Sequence, residues 1–217
     1  MKTSLLKLSF LGIFLFQLPN IYSQEKTPVN FGKVSVDDFI INSSLVNANS
    51  SAVIIADVGD AKFEGNSKGW FTYVYKRQTR IKILDKKAFD LATIKILLYR
   101  NENGQEKVDH LDAATYNIIN GKVSETRLGS TDVFDEKVDK NYLYKKFSMP
   151  GLQAGSIIEY TYTIKSDFEF NLPSWEFQSD RYPTLWSEYH LNLPSLLSYM
   201  SFFQGPHKFY INRYYPS

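Results

Sequence analysis

Residues 147–165 read Phe-Ser-Met-Pro-Gly-Leu-Gln-Ala-Gly-Ser-Ile-Ile-Glu-Tyr-Thr-Tyr-Thr-Ile-Lys, and the fold class turns on them. Pro150 presets φ for the first turn position, and Gly151 accepts the positive φ that a type II turn needs next. Beyond Gly155 the even positions Ile158, Tyr160, Tyr162 and Ile164 are apolar, while Glu159, Thr161, Thr163 and Lys165 are polar. Alternation of this period predicts an antiparallel strand with one face on a core and one in water. Ahead of the turn, Leu143, Phe147 and Met149 share a face interrupted only by Lys145, so a second strand is predicted. The Pro-Gly turn is expected to set the register between the two.

The same reading extends in both directions. Ser51 to Val58 is an apolar run of the kind buried on both faces, with Gly59-Asp60 as the turn that ends it. Trp70 to Leu84 alternates as one long strand, with a bulge expected near Arg77 to Thr79. Thr93 to Tyr99 puts Ile94, Ile96 and Leu98 on one face. Asn101 to Gln105 is turn chemistry, and Asn120-Gly121 is the strongest hairpin signal, flanked by Ala113 to Ile119 and Lys122 to Leu128. Trp175 to Gln178 and Thr184 to Leu193 are read as two further strands between prolines. Ser35 with Asp38 resembles a capping box, which predicts a short helix over Val36 to Ile41, and Lys86 to Leu91 fits one helical turn. The expectation is an all-β, sandwich-like antiparallel domain with one or two short helices.

Residues 1–23 have the layout of a secretory signal peptide: Lys2 and Lys7, then the apolar run Leu8 to Phe16, then Pro19 and a small residue at Ser23. Cleavage is expected between Ser23 and Gln24. The apolar run is far shorter than the roughly 20 residues of a spanning helix, so no membrane association is expected after removal. The destination is exported, periplasmic or extracellular. Without Lys2 and Lys7, the 25 basic residues fall to 23 against 23 acidic ones. Zero net charge offers nothing global to attract nucleic acid or anionic membrane. There is no cysteine. Thiolate nucleophiles, Cys-ligated metals and disulfides are therefore excluded, and burial with β pairing must hold the fold.

Candidate chemistry is sparse. The three histidines are His110, His190 and His207. Strand geometry places Trp186, Glu188 and His190 on one face, opposite Leu185, Tyr189, Leu191 and Leu193. Glu and His two apart can hold a proton or a metal, and a neighbouring Trp can stack a sugar ring, but two ligands do not make a metal site. An exposed strand face carries the same pattern. Lys76, Arg77, Arg80 and Lys82 lie beside Trp70, Phe71, Tyr73 and Tyr75, a mixture that binds single strands in other settings. On a neutral exported chain a solvated strand face explains it better. Aromatics make up 16% of the chain, which raises a glycan- or peptide-binding reading, although most of them alternate toward the core. Asn42-Ser43-Ser44 and Asn49-Ser50-Ser51 match the glycosylation pattern, a weak signal. No nucleophile elbow, phosphate loop or metal helix is visible, so no catalytic residue and no cofactor is expected.

Phe31-Gly32-Lys33-Val34-Ser35, Ser51-Ala52-Val53-Ile54-Ile55, Arg80-Ile81-Lys82-Ile83-Leu84, Met149-Pro150-Gly151, Gly155 through Tyr160, Phe177-Gln178 and Pro183 occur in an order that resembles the family called domain of unknown function 3857. The resemblance spans roughly Phe31 to Pro206. It implies an exported bacterial β domain that ordinarily precedes a transglutaminase-like domain, the latter carrying papain-like Cys-His-Asp machinery. It brings no catalytic residues of its own. The expected organisation is a leader over 1–23, a β domain over 24–206 and the start of a further segment over 207–217. The aromatic-rich stretch from Phe202 to Tyr215 is read as part of a longer protein. The function expected is a non-catalytic accessory domain, with the glycan- or peptide-binding module as the alternative.

Overall fold

The computed structural model describes residues 29–168, 172–197, 199–200, 202–205 and 209–214. The leader with its Ser23-Gln24 junction, His207 and Pro206 lie outside the described residues. The ten strands are β1 (Ala52–Gly65), β2 (Phe71–Ile83), β3 (Thr93–Asn101), β4 (Gly104–Gln105), β5 (Lys107–Ile119), β6 (Lys122–Arg127), β7 (Val133–Lys137), β8 (Tyr142–Ser148), β9 (Ile157–Ser166) and β10 (Ser187–Asn192). They form a six-stranded sheet in the order β10-β1-β2-β9-β5-β6 and a four-stranded sheet in the order β4-β3-β8-β7. Short 3₁₀ turns occupy Asp37–Phe39, Lys86–Ala92 and Ser130–Asp132. The all-β sandwich is as the sequence implies.

One core joins the layers. Tyr73, Ile81, Ala113, Ile158, Tyr162 and Ile164 of the larger sheet meet Ile94, Ile96, Leu98, Leu143 and Phe147 of the smaller. Phe147 and Tyr160 touch edge to face at 6.4 Å across the interlayer. The alternation in β9 thus points Ile158, Tyr160, Tyr162 and Ile164 inward, as expected.

The Pro-Gly segment is not a hairpin. β8 pairs with β3 and β7, whereas β9 pairs with β2 and β5, so residues 149–156 carry the chain from one sheet to the other. Alternation reports that a strand has one buried face, and it is silent about which sheet the strand joins. The length was the missed clue: tight hairpin loops run to about 2–5 residues. The crossing is stapled at both ends. Met149 N–H donates to Ala92 O at 2.8 Å, and Gly155 N–H donates to Ile83 O at 2.9 Å. Asn117 Nδ2 donates to Gly151 O at 2.9 Å, and Ser156 Oγ donates to Asn117 Oδ1 at 2.5 Å. Gly151 has φ +63°, as the turn chemistry requires.

Other elements divide between confirmation and correction. Asn120 and Gly121 both have positive φ, 52° and 74°, the type I′ geometry that joins β5 to β6. The capping Ser35 and Asp38 do bond, Ser35 N–H and Oγ donating to Asp38 Oδ2 at 2.6 and 2.8 Å, but the turn they start covers only Asp37–Phe39. Register shifts lie in β1, between Ile54 and Ala56, and in β5, between Val108 and His110, while β2 pairs regularly through Arg77 to Thr79. β10 runs parallel to β1, the one parallel pair among the described strands. Trp175 to Gln178 forms no strand; Thr184 makes an isolated parallel bridge to Ile54 ahead of β10.

Gly59-Asp60 does not turn the chain either. β1 passes straight through, and Gly59 leaves the space into which two rings pack. A Cβ there would stand 2.6 Å from Trp175 Cζ3 and 2.7 Å from Tyr189 Cδ2. Those rings stack on each other at 5.2 Å, and Trp175 Nε1 donates to Ser187 Oγ at 3.1 Å. Gly59→Ala should therefore cost about 1–3 kcal/mol through overpacking, read by chemical denaturation. Gly65→Ala, with nothing within 4 Å, should stay within about 0.5 kcal/mol of wild type.

Candidate functional site

Register places Trp186, Glu188 and His190 on the outward face of the larger sheet, Glu188 opposite Val58 and His190 opposite Asp60. Tyr189 and Leu191 turn to the core. The three side chains do meet: Trp186 Nε1 donates to Glu188 Oε2 at 2.8 Å, and His190 Nε2 lies 2.5 Å from Glu188 Oε1. Among the described residues no three groups of metal-ligating type come together. The ladder is a polar edge with an indole fixed in orientation.

The basic cluster is not a solvated face. Strand alternation separates it, with Arg77 inward and Lys76, Arg80 and Lys82 outward. Asp57 accepts from Arg77 Nε at 2.9 Å, from Arg77 Nη2 at 2.6 Å and from Thr79 Oγ1 at 2.8 Å. The Arg77 guanidinium lies 5.1 Å from the Trp175 ring centre. Arg80 is wholly buried, and Lys82 is nearly so. Lys82 Nζ donates to Gly155 O at 2.6 Å and sits 4.3 Å from the Phe39 ring centre. Burial holds its ammonium below the usual lysine range.

What covers Arg80 and Lys82 is the N-terminal segment, residues 29–39, laid across the outer face as a strap. Arg80 Nε donates to Glu159 Oε2 at 2.6 Å, Nη1 to Asp38 Oδ1 at 3.3 Å, and Nη2 to the carbonyls of Asn30 and Lys33 at 2.9 and 3.0 Å. Glu159 Oε1 accepts from Gly32 N–H. Glu159, expected to face water, is only 7% exposed. Beside this clamp, Ala114, Tyr116 and Ile157 pack with Val34, Phe39, Ile55 and Val123 as a second small core. The sequence carried both charges in plain view but not the cross-strand register that sets Arg80 opposite Glu159.

A cleft of about 130 Å³ opens between strap and sheet, lined in part by Phe31, Gln78, Asp112, Tyr116, Arg127 and Thr161. It exists because Ala114 stands between Glu159 and Arg127 in the cross-strand row and fills little space. Arg127 Nη1 lies 3.2 Å from both Asp112 oxygens, and Nη2 lies 2.8 Å from Glu125 Oε1. Thr161 Oγ1 is shielded from solvent and has no hydrogen-bond partner. The sequence pattern marks Thr161 only as a polar, water-facing strand position and Phe31 only as part of a family motif, and it picks out none of the six as a site residue.

Two stacked β layers with one strapped outer face define the class: a β-sandwich domain. The family model described as a domain of unknown function with a solved structure, DUF3857, matches residues 71–210, and the chain belongs to that family. The match takes in β2 through β10; the strap and β1 precede it. No curated protein matches the chain. Among solved structures, one from Parabacteroides distasonis, described as a candidate protease, is 12% identical, with TM-score 0.42, covering 54% of this chain and 23% of its own. The chain thus spans under a quarter of that protein's length.

The inner face also fixes a response to alkali. Burial raises the phenols of Tyr73, Tyr75, Tyr160 and Tyr189, and it pushes Tyr162 up to about 12. Folded values above the unfolded value of about 10 mean that the folded chain holds these protons more tightly. Their stabilisation is intact below pH about 10 and is lost as pH rises toward the folded values. Phenolate absorbance should therefore rise together with loss of the sheet signal in circular dichroism. Ionisation of these tyrosines with the sheet intact would count against it.

Proposed function

We propose that this chain is an exported accessory domain, non-catalytic by itself, that positions or partners a transglutaminase-like domain downstream. The observation that carries the reading is how the buried polar groups are used. Asp57 is held by Arg77 and Thr79, Glu159 by Arg80 and Gly32, Ser156 by Asn117, and Lys82 by the Gly155 carbonyl. Each maintains a strand, a crossing or the strap. A group committed to such a bond must break it before acting on a substrate, at about 1–3 kcal/mol for each buried partner left unpaired.

The exposed apolar surface after β10 supports the partner half of the reading. Phe202 is 82% exposed and Tyr210 86%, and Leu196, Met200 and Tyr214 are exposed as well. Phe209 nonetheless packs against Phe177 and Phe203 at 4.8 and 5.1 Å, which ties this surface to the sandwich. Export follows from the leader reading, and the downstream domain from the family resemblance.

Reading the gene beyond codon 217 and expressing the whole protein tests the proposal. A transglutaminase-like domain should follow, and all amine incorporation into a glutamine peptide should reside in it. Phe202→Ser with Tyr210→Ser should split a joint thermal transition into two. A stop codon after Ser217, turnover by the present chain alone, or an unaltered transition would contradict the reading.

A further inference from the structure

β3 pairs with β8 from Thr93 to Tyr99, whereas β4 meets its other side only at Arg100 and Asn101. The phase of the ladder is fixed at both ends. Met149 N–H donates to Ala92 O and Arg100 N–H donates to Asn141 O, each at 2.8 Å, so the even-numbered residues bond toward β8. Odd-numbered residues bond the other way. Tyr99 shows it: its carbonyl accepts from Glu106 N–H at 2.8 Å, and its N–H donates to Glu106 Oε2 at 2.7 Å. Thr93 N–H is taken by Asp90 O. What is left is the Thr93 carbonyl with the N–H and C=O of Lys95 and Leu97, all without a partner among the described residues. The chain between β9 and β10 sends Leu172, Trp175 and Tyr182 into the core, but its described residues give β3 no backbone bond.

Unpaired strand edges are templates for another chain, and charged side chains are the usual guard against that. The other edges carry such guards. β6 has Lys122, Glu125 and Arg127, β7 has Asp135, Glu136 and Lys137, and β10 has Glu188 and His190. The open stretch of β3 reads Thr-Ile-Lys-Ile-Leu-Leu over 93–98, with Lys95 its single charge.

We propose that this edge takes an extended peptide segment as an added strand, antiparallel to β3, with an acid opposite Lys95 and an apolar residue opposite Leu97. The proposal stands beside the downstream-partner reading and does not rest on it. Backbone groups supply the attachment, as in strand addition generally, and the outward side chains supply the choice.

Charge selects the acid. Lys95 stands directly opposite Lys146 on the outward face, and like charges so placed repel. Lys146 has its counter-ion in Glu136 at 2.8 Å. Lys95 makes no ion pair among the described residues and has the Tyr144 ring at 5.5 Å. A carboxylate on the next strand gives it what Lys146 already has. Apolar surface selects the other position. Leu97 is 48% exposed beside Tyr144, and Phe134 is 51% exposed on the same face. Because the added strand runs antiparallel, its apolar residue comes two positions before its acid. A second copy of β3 fits less well, since residues 93–98 contain no acid to set against Lys95.

Amide-resolved nuclear magnetic resonance of the intact chain tests the proposal, with the capped peptide Thr-Val-Ala-Glu-Ala-Thr as probe. In the chain alone, the Lys95 and Leu97 amides should exchange freely and sedimentation should give a monomer. Added peptide should shift and protect those two amides. The same peptide with Lys in place of Glu should bind about threefold or more weaker, and N-methylation of its Val and Glu should abolish binding. Leu97→Pro removes an N–H that the fold leaves unused, at an edge where proline is tolerated, and it should also abolish binding. Lys95→Glu gives a second variant should Leu97→Pro fail to fold, and it should reverse the preference between the Glu and Lys peptides. Protection of both amides in the free chain, by self-association or by its own loop, would overturn the proposal. So would silence at millimolar peptide, or an unchanged preference in Lys95→Glu.

Discussion

The Arg80 guanidinium is the joint on which the outer half of this domain depends. It is wholly buried, and every nitrogen it carries is engaged by Glu159, Asp38 or the strap carbonyls of Asn30 and Lys33. A buried ion pair gains little over an apolar pair of the same shape, but removing one partner alone costs about 3–5 kcal/mol. Arg80 thus contributes definition more than net stability. It fixes where the strap lies, brings Gly32 N–H onto Glu159 and sets Phe31 beside Tyr116. Without the strap, Arg80 and Lys82 would be left facing outward, short of their strap partners.

Much of the fold was legible because periodicity and turn chemistry are local. Asn120-Gly121 needed nothing beyond its own neighbours to specify a type I′ hairpin, and the inward set of β9 followed from alternation. What was not legible is pairing. The same alternation serves a hairpin and a crossing between sheets, and alternation alone does not tell which of the two residues 149–156 make. Gly59-Asp60 looked like a turn because glycine in a strand has two meanings, and only the rings of Trp175 and Tyr189 reveal which applies. Trp175 itself lies outside any strand and fills that space from a loop.

The candidate site shows the same division. Trp186, Glu188 and His190 share a face by period two, and the structure brings them within bonding distance. Arg80 and Glu159 are 79 residues apart, and no local pattern links them. Gln78, Thr161 and Asp112 form a row only because three strands distant in sequence pair in one register. Polar residues on a sheet face look like ordinary solvated positions until a strap covers part of them. The family match extends over β2 to β10, so that row lies within it, while the strap that walls the cleft precedes it.

The central claim is that the Arg80–Glu159 pair holds the strap in place while the sheet stands without it. Amide hydrogen exchange followed by nuclear magnetic resonance tests this most directly, comparing wild type with the double variant Arg80→Met, Glu159→Leu. Replacing both charges avoids leaving either one buried alone. The account predicts that the Gly32 amide is protected in wild type and exchanges freely in the variant, with β2 and β9 equally protected in both. Undiminished protection at Gly32 in the double variant would contradict it.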